Sequence, residues 1–309
     1  MTLAGIDCGT NAVRLLVADV DQHGRLHEYA RLMEIVRLGE GIDRTGEFSA
    51  AALDRTFTAL DEYARVMADL GVTQARFVAT SASRDARNKE VFVDGVRGRL
   101  GIEPEVISGT EEAALSFAGA VRGLPPGMVA PPPLVVDIGG GSTEFVLGHE
   151  RPEHSSSVDI GCVRMTERHL HSDPPTPQEI EATWRDVEAA VADAGSRVPF
   201  PEAGCLVGLA GTVTTVSAMA MDLPEYDATI LHGSVISVDE VADVTQRLLA
   251  MTKAERAALP FMHPGRVDVI AGGAMVLLAA LRAAKQDRVI VSETDILDGI
   301  VYTISEQSA

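Results

Sequence analysis

Asp137-Ile138-Gly139-Gly140-Gly141-Ser142-Thr143-Glu144 follows the apolar run Leu134-Val135-Val136 and leads into Phe145-Val146-Leu147. A shorter version, Asp7-Cys8-Gly9-Thr10-Asn11, follows an apolar run at the N-terminus and leads into Val13-Arg14-Leu15-Leu16-Val17. Both read as strand, Asp-x-Gly turn, second strand. A glycine turn lets backbone N–H groups approach phosphate oxygens with no Cβ in the way. The aspartate beside it can hold a hard cation such as Mg²⁺. One such turn in each half predicts two similar domains gripping a polyphosphate and a metal between them.

The elements around the turns support a duplicated α/β chain. In the first half, Leu3–Cys8 and Ala12–Asp19 read as a hairpin and Tyr29–Leu38 as a third strand. Ser49 is placed to cap a helix whose apolar positions are Leu53, Phe57, Leu60, Ala64 and Met67, with Gly71 ending it. Arg76–Thr80 reads as a strand, Asn88–Leu100 as a helix, Glu105–Ile107 as a strand and Glu111–Val121 as an Ala-rich helix. Pro125-Pro126-Gly127 and Pro131-Pro132-Pro133 then form a stiff connection that no helix can cross. Beyond it, Thr176, Pro177 and Glu179 start a helix over Pro177–Ser196, and Cys205–Leu209 reads as a buried strand. Val267–Leu281 and Ile296–Ile304 read as helices around the strand Arg288–Val291.

Composition narrows the class. With 309 residues, 46% of them hydrophobic, the chain can bury a sizeable core in one large or two smaller domains. The longest apolar run, Val269–Leu281, is shorter than the roughly 20 residues of a membrane span. There is no basic segment at the N-terminus, and Asp7 interrupts any apolar leader, so a cytoplasmic protein is expected. Three scattered cysteines argue against a disulfide framework, and no Cys or His pair has zinc spacing. The net charge of −19 disfavours nucleic acid and anionic membranes as partners. It also repels a polyanionic substrate unless a divalent metal, backbone N–H groups and a few arginines supply local positive field. The apolar helices of the second half would support a homodimer but do not demand one.

Several segments carry candidate chemistry. Asp137 and Glu144 read as metal carboxylates and Gly139, Gly140, Gly141 and Ser142 as phosphate donors; the bland alternative is a glycine-rich hairpin with solvated acids. Asp7, Gly9, Thr10 and Asn11 form either a second phosphate turn or an ordinary hairpin turn, and Cys8 is expected to point into the sheet. In Ile107-Ser108-Gly109-Thr110-Glu111-Glu112-Ala113, Ser108 and Glu111 have capping-box spacing. Glu112 is either a helix-start acid favoured by the dipole or a carboxylate that orients water and accepts its proton. Arg84, in Thr80-Ser81-Ala82-Ser83-Arg84, either offers forked donors to phosphate or is a solvated arginine at a capped helix start. Gly211 and Thr212, in Ala210-Gly211-Thr212-Val213-Thr214, sit where a strand meets a helix N-terminus, without the Walker lysine. Gly272-Gly273 reads as close packing or as backbone approach to a ligand, and His232 as structural.

Together with Arg37-Leu38-Gly39, Ile160-Gly161-Cys162-Val163-Arg164 and Ser292-Glu293…Asp298-Gly299-Ile300, these segments resemble the exopolyphosphatase / guanosine pentaphosphate phosphohydrolase family along nearly the whole chain. The resemblance implies an α/β fold of two duplicated ribonuclease-H-like domains, that of the actin-like ATPase superfamily, around a central cleft, with the domains at 1–122 and 123–309. It implies Glu112 as the water-activating carboxylate and Asp137 and Glu144 as Mg²⁺ (or Mn²⁺) and catalytic acids. Gly139 and its neighbours would donate to phosphate, Asp7, Gly9, Thr10 and Asn11 would form the first phosphate turn, and Arg84 would line the substrate path. The expected activity is hydrolysis of the terminal phosphoanhydride bond of inorganic polyphosphate. Hydrolysis of guanosine pentaphosphate and a non-catalytic polyphosphate or nucleotide sensor are the alternatives. Two departures stand out. Ala12 replaces a serine common in the family's first turn, and the further helical domains of longer relatives do not follow Ala309, which suggests a preference for shorter chains.

Overall fold

A computed structural model describes residues 1–307. Their contacts divide them into two units, one of Met1–Gly119 plus the segment from Ile296, the other Ala120–Asp295.

The first unit opens with β1 (Leu3–Cys8), β2 (Ala12–Val20) and β3 (Leu26–Ile35), an antiparallel meander. A helical turn α1 (Ile42–Thr45) and the long helix α2 (Ala50–Asp69) follow. Ser49 caps α2 as expected, its side chain accepting from the Ala52 N–H. Then come β4 (Gln74–Ala79), α3 (Ser81–Asp85), α4 (Lys89–Leu100), the short β5 (Glu105–Val106) and α5 (Gly109–Gly123). The sheet order is β3-β2-β1-β4-β5, with β1, β4 and β5 parallel. β1 is buried along its whole length, as a strand covered on both faces must be. The third strand lies earlier than the sequence suggests. Arg37 takes a left-handed φ of 49°, and the chain leaves the sheet there.

The second unit repeats the plan. β6 (Pro133–Ile138), β7 (Thr143–Gly148) and β8 (Pro152–Val158) form the meander, followed by α6 (Cys162–His169) and α7 (Pro177–Gly195). Thr176 and Glu179 close α7 with a reciprocal capping box. β9 (Cys205–Leu209), α8 (Ala210–Ala220), α9 (Ala228–Leu231), β10 (Val235–Ser237), α10 (Val238–Ala250), α11 (Lys253–Ala257), α12 (Ile270–Ala283) and β11 (Arg288–Val291) complete it. The order β8-β7-β6-β9-β11 matches the first sheet strand for strand, and β10 adds an antiparallel edge. The two units therefore share one ribonuclease-H-like plan. α12 starts at Ile270, later than expected, because Pro264–Arg266 form a 3₁₀ turn first.

The last helix, α13 (Ile296–Gln307), belongs with the first unit, whereas the sequence reading counted it in a domain at 123–309. The reason is its apolar face. Ile296, Leu297, Ile300, Val301 and Ile304 recur at helical spacing and pack with Leu3, Leu16, Ala18 and Val78 of the first sheet. Gly5 lets the helix approach: a Cβ there would stand 3.1 Å from Ile300. Arg31 on β3 locks the contact through a 2.7 Å ion pair with buried Asp298. α2 and α4 supply the core on the sheet's other face, around Leu60, Tyr63, Phe77 and Phe92. No helix among the described residues is long and apolar enough to cross a membrane.

Candidate active site

In the second unit, antiparallel pairing sets Asp137 directly opposite Glu144. Residues opposite one another share a face of the sheet, with Cβ atoms about 5 Å apart. Two carboxylates are thus side by side, Asp137 only 8% exposed and Glu144 only 1%. Ser157, opposite Glu144 on β8, donates to its Oε1 at 2.7 Å and fixes the side chain.

Between the two acids, the carbonyls of the glycine turn are committed to the start of α6. The Cys162 N–H donates to the Gly139 carbonyl at 3.0 Å, and those of Val163 and Arg164 donate to the Gly140 carbonyl. The Arg164 Nε donates to the Gly141 carbonyl at 2.7 Å. These peptides are trans. In a planar trans peptide N–H and C=O point in opposite directions. The N–H groups of Gly140, Gly141 and Ser142 therefore all point away from α6, a run of donors suited to an anion. Gly161 makes this possible, because a Cβ there would collide with the backbone of Gly140 and Gly141.

The first unit builds the same turn by other means. Gly9 N–H donates to the Ala12 carbonyl at 2.9 Å, as Gly139 N–H does to Ser142 at 3.0 Å. The Thr10 carbonyl accepts from Gly39 N–H, and the Asn11 carbonyl accepts from Val36 and Arg37. By the same planarity, the N–H groups of Asn11 and Ala12 point the other way. The segment Arg37-Leu38-Gly39 thus does here what α6 does in the second unit. Thr10 Oγ1 is buried without a hydrogen-bond partner among the described residues. Asp7 faces Arg14 across β1 and β2, and Arg14 Nη2 reaches Asp7 Oδ2 at 2.6 Å. Cys8 is buried in the sheet, and burial pushes its thiol well up.

Glu112 stands in the first turn of α5 and is 8% exposed. Its N–H donates to the Ser108 carbonyl at 2.9 Å. Arg84 Nη1 donates to Glu112 Oε2 at 2.7 Å and to the Ile107 carbonyl at 3.1 Å. Arg84 is therefore bound to the candidate base itself, a contact that the sequence reading did not foresee. Ser108 caps the Glu111 N–H at 3.2 Å, but the Glu111 carboxylate turns to Arg76 at 2.6 Å, so the expected capping box is only half made. The first-unit candidates share the carboxyl edge of the parallel strands. Thr80 N–H donates to the Cys8 carbonyl, and Ile107 N–H to that of Ala79.

Gly211 and Thr212 lie at the matching edge of the second sheet, where β9 runs beside β6. The Arg266 guanidinium lies against Gly211 and donates to Thr215 Oγ1 at 3.0 Å. It is 5.9 Å from the Tyr226 ring, whose hydroxyl donates to Glu293 Oε1 at 2.6 Å. Burial and the Glu293 charge push that phenol up to about 12. Thr212 packs on Gly273, where a Cβ would stand 3.0 Å from Cys162, so Gly272-Gly273 serves helix packing. His232 is structural: its Nδ1 accepts from Glu293 N–H, and its Nε2 bonds the Gly123 carbonyl.

The sequence description of the Ppx/GppA phosphatase family matches residues 16–308. The chain belongs to the Ppx/GppA phosphatase family. It is 48% identical to Exopolyphosphatase 2 of Mycobacterium tuberculosis over 98% of both chains. It superposes on the crystal structure of an exopolyphosphatase-like protein with a TM-score of 0.96, at 42% identity and full coverage of both chains. A Ppx/GppA family member from Aquifex aeolicus gives a TM-score of 0.84 at 28% identity, covering 100% of this chain and 98% of that one.

Three residues of this Ppx/GppA chain escaped sequence reasoning, Arg14, Ser157 and Arg266, and Arg164 entered only as part of the segment Ile160–Arg164. Only Arg14 left a usable signal, since it follows Asp7 at the spacing that separates Asp137 from Glu144. No cluster of three or more His, Cys, Asp or Glu suited to a metal occurs among the described residues. A pair of carboxylates is what Mg²⁺ commonly takes from a protein, the rest of its shell being water and substrate phosphate. The hard, facing oxygens of Asp137 and Glu144 fit that ion.

Proposed function

We propose that this protein is an exopolyphosphatase that hydrolyses the terminal phosphoanhydride bond of inorganic polyphosphate and releases phosphate, with Mg²⁺ as cofactor. The observation that carries the reading is the facing pair Asp137 and Glu144 on either side of a run of glycine N–H donors. The similarity to Exopolyphosphatase 2 supports it. Asp137 and Glu144 would hold Mg²⁺ (or Mn²⁺). When bound, that ion would neutralise charge on the terminal phosphates. In the second unit the N–H groups of Gly140, Gly141 and Ser142 would take non-bridging phosphate oxygens, and in the first unit those of Asn11 and Ala12 form a donor set of the same kind.

Glu112 would orient a water in line with the terminal phosphorus and accept its proton. Arg84, by holding Oε2, leaves the carboxylate one orientation. Phosphoryl transfer has a loose transition state, so positioning and charge neutralisation matter more than strong basicity. The same chemistry would serve guanosine pentaphosphate, which is a test substrate for that reason.

Phosphate release should be measured with polyphosphates of several lengths, guanosine pentaphosphate and ATP, each with and without Mg²⁺. The proposal expects release from polyphosphate that vanishes with chelator. Faster release from guanosine pentaphosphate would reassign the substrate. No release from any of them would replace the enzyme reading with that of a binding protein.

A further inference from the structure

The two halves of the duplication differ at one chemically decisive position. Each unit has the same strand–turn–strand frame, with an aspartate at the end of the first strand and a glycine N–H closing the turn (Gly9 to Ala12, Gly139 to Ser142). In the second unit the residue opposite the aspartate is Glu144, and in the first it is Arg14. We propose that Arg14 stands where the second unit would place a divalent cation, as a built-in counter-ion, so that the chain carries one metal site and not two. The inference rests on reading Asp137 and Glu144 as metal ligands.

Two buried carboxylates side by side repel one another and favour a divalent ion between them. An Asp–Arg pair is already neutral. Arg14 Nε and Nη2 both reach Asp7 Oδ2, at 3.1 and 2.6 Å, with Asp7 only 4% exposed. A cation entering there would have to displace a guanidinium bound through two donors. The plain alternative is that Arg14 and Asp7 form a structural ion pair, as buried charges often do, with no bearing on metal. The two ideas differ in what happens when the charge at position 14 is reversed.

The test is Mn²⁺ binding to the full chain without substrate, read from the free-ion signal in electron paramagnetic resonance. The wild type should bind one Mn²⁺ per chain, and so should Asp7→Asn. Glu144→Gln should bind none. Arg14→Glu, which builds an acid pair in the first unit, should bind a second ion. If Arg14→Glu does not fold, Arg14→Gln, which takes the guanidinium off the Asp7 carboxylate, should show a second, weaker Mn²⁺, and a single ion on that folded variant would overturn the role of Arg14. Two ions on the wild type, loss of the ion in Asp7→Asn, or no second ion on folded Arg14→Glu would overturn the role of Arg14 and leave the Asp137–Glu144 site standing. No ion on the wild type would sink the metal reading and this inference with it.

Discussion

Glu112 is the residue on which turnover is expected to depend most. Its Oε2 is held by Arg84, so Glu112→Gln keeps the shape of the site and removes the base. Steady-state kinetics should show kcat falling by about 10²–10⁴ with KM nearly unchanged, the usual range for loss of a general base. An unchanged kcat with raised KM would move Glu112 into substrate binding. Arg84→Ala should lower kcat more than it raises KM, since its observed bonds go to Glu112 and to the Ile107 carbonyl. Glu112 could be singled out in the sequence because Ser108 and Glu111 already accounted for the helix start. Its contact with Arg84 could not, because it depends on how α3 folds back on the start of α5, and short helices leave little periodic signal.

The turns and their backing elements make predictions of their own. Gly161 lies flat against Gly140 and Gly141, so Gly161→Ala must push α6 off the turn whose carbonyls it holds. Overpacking of this kind costs about 1–3 kcal/mol. Thermal melting should register that loss, and KM for polyphosphate should rise with it as the donor run is disturbed. The capping box of α7 carries a pH signature. Bonds from Thr176 and then Ser172 and His171 lower the Glu179 carboxyl to about 2. Its contribution is present above the ordinary glutamate value of about 4.3 and is lost as pH falls toward 2. The melting-temperature gap between wild type and Glu179→Ala should hold steady from pH 6 to 8 and shrink below about pH 4. Caps and strands were the most legible elements, since Ser49, Thr176 and the apolar runs at Leu3 and Leu134 act locally. Val36, Arg37 and Leu38 were misread as strand. The N–H groups of Val36, Arg37 and Gly39 serve the first turn, a tertiary demand that no local pattern records.

At the scale of the molecule, charge and chain path matter. With a net charge of −19, the protein repels a polyanion from afar, while the site attracts it at contact range. Screening beyond about 8 Å at physiological salt should therefore raise kcat/KM as salt is added from a low starting point at fixed free Mg²⁺. A monotonic fall would mean that a local basic field dominates. Removing the chain from Ile296 onward should unfold the first unit, because α13 covers Leu3, Leu16 and Val78. The duplicated fold was legible from the two Asp-x-Gly turns. The return of α13 to the first sheet was not, because a helix's apolar face does not say which sheet it covers.

In the proposed reaction water attacks the terminal phosphorus of polyphosphate. That attack is tested most directly by running the Mg²⁺-dependent reaction in ¹⁸O-enriched water and examining the products by ³¹P NMR and mass spectrometry. Each turnover should yield phosphate carrying one solvent oxygen and a chain shortened by one residue at its end. Phosphate without solvent oxygen, or label first appearing in mid-length fragments, would contradict it.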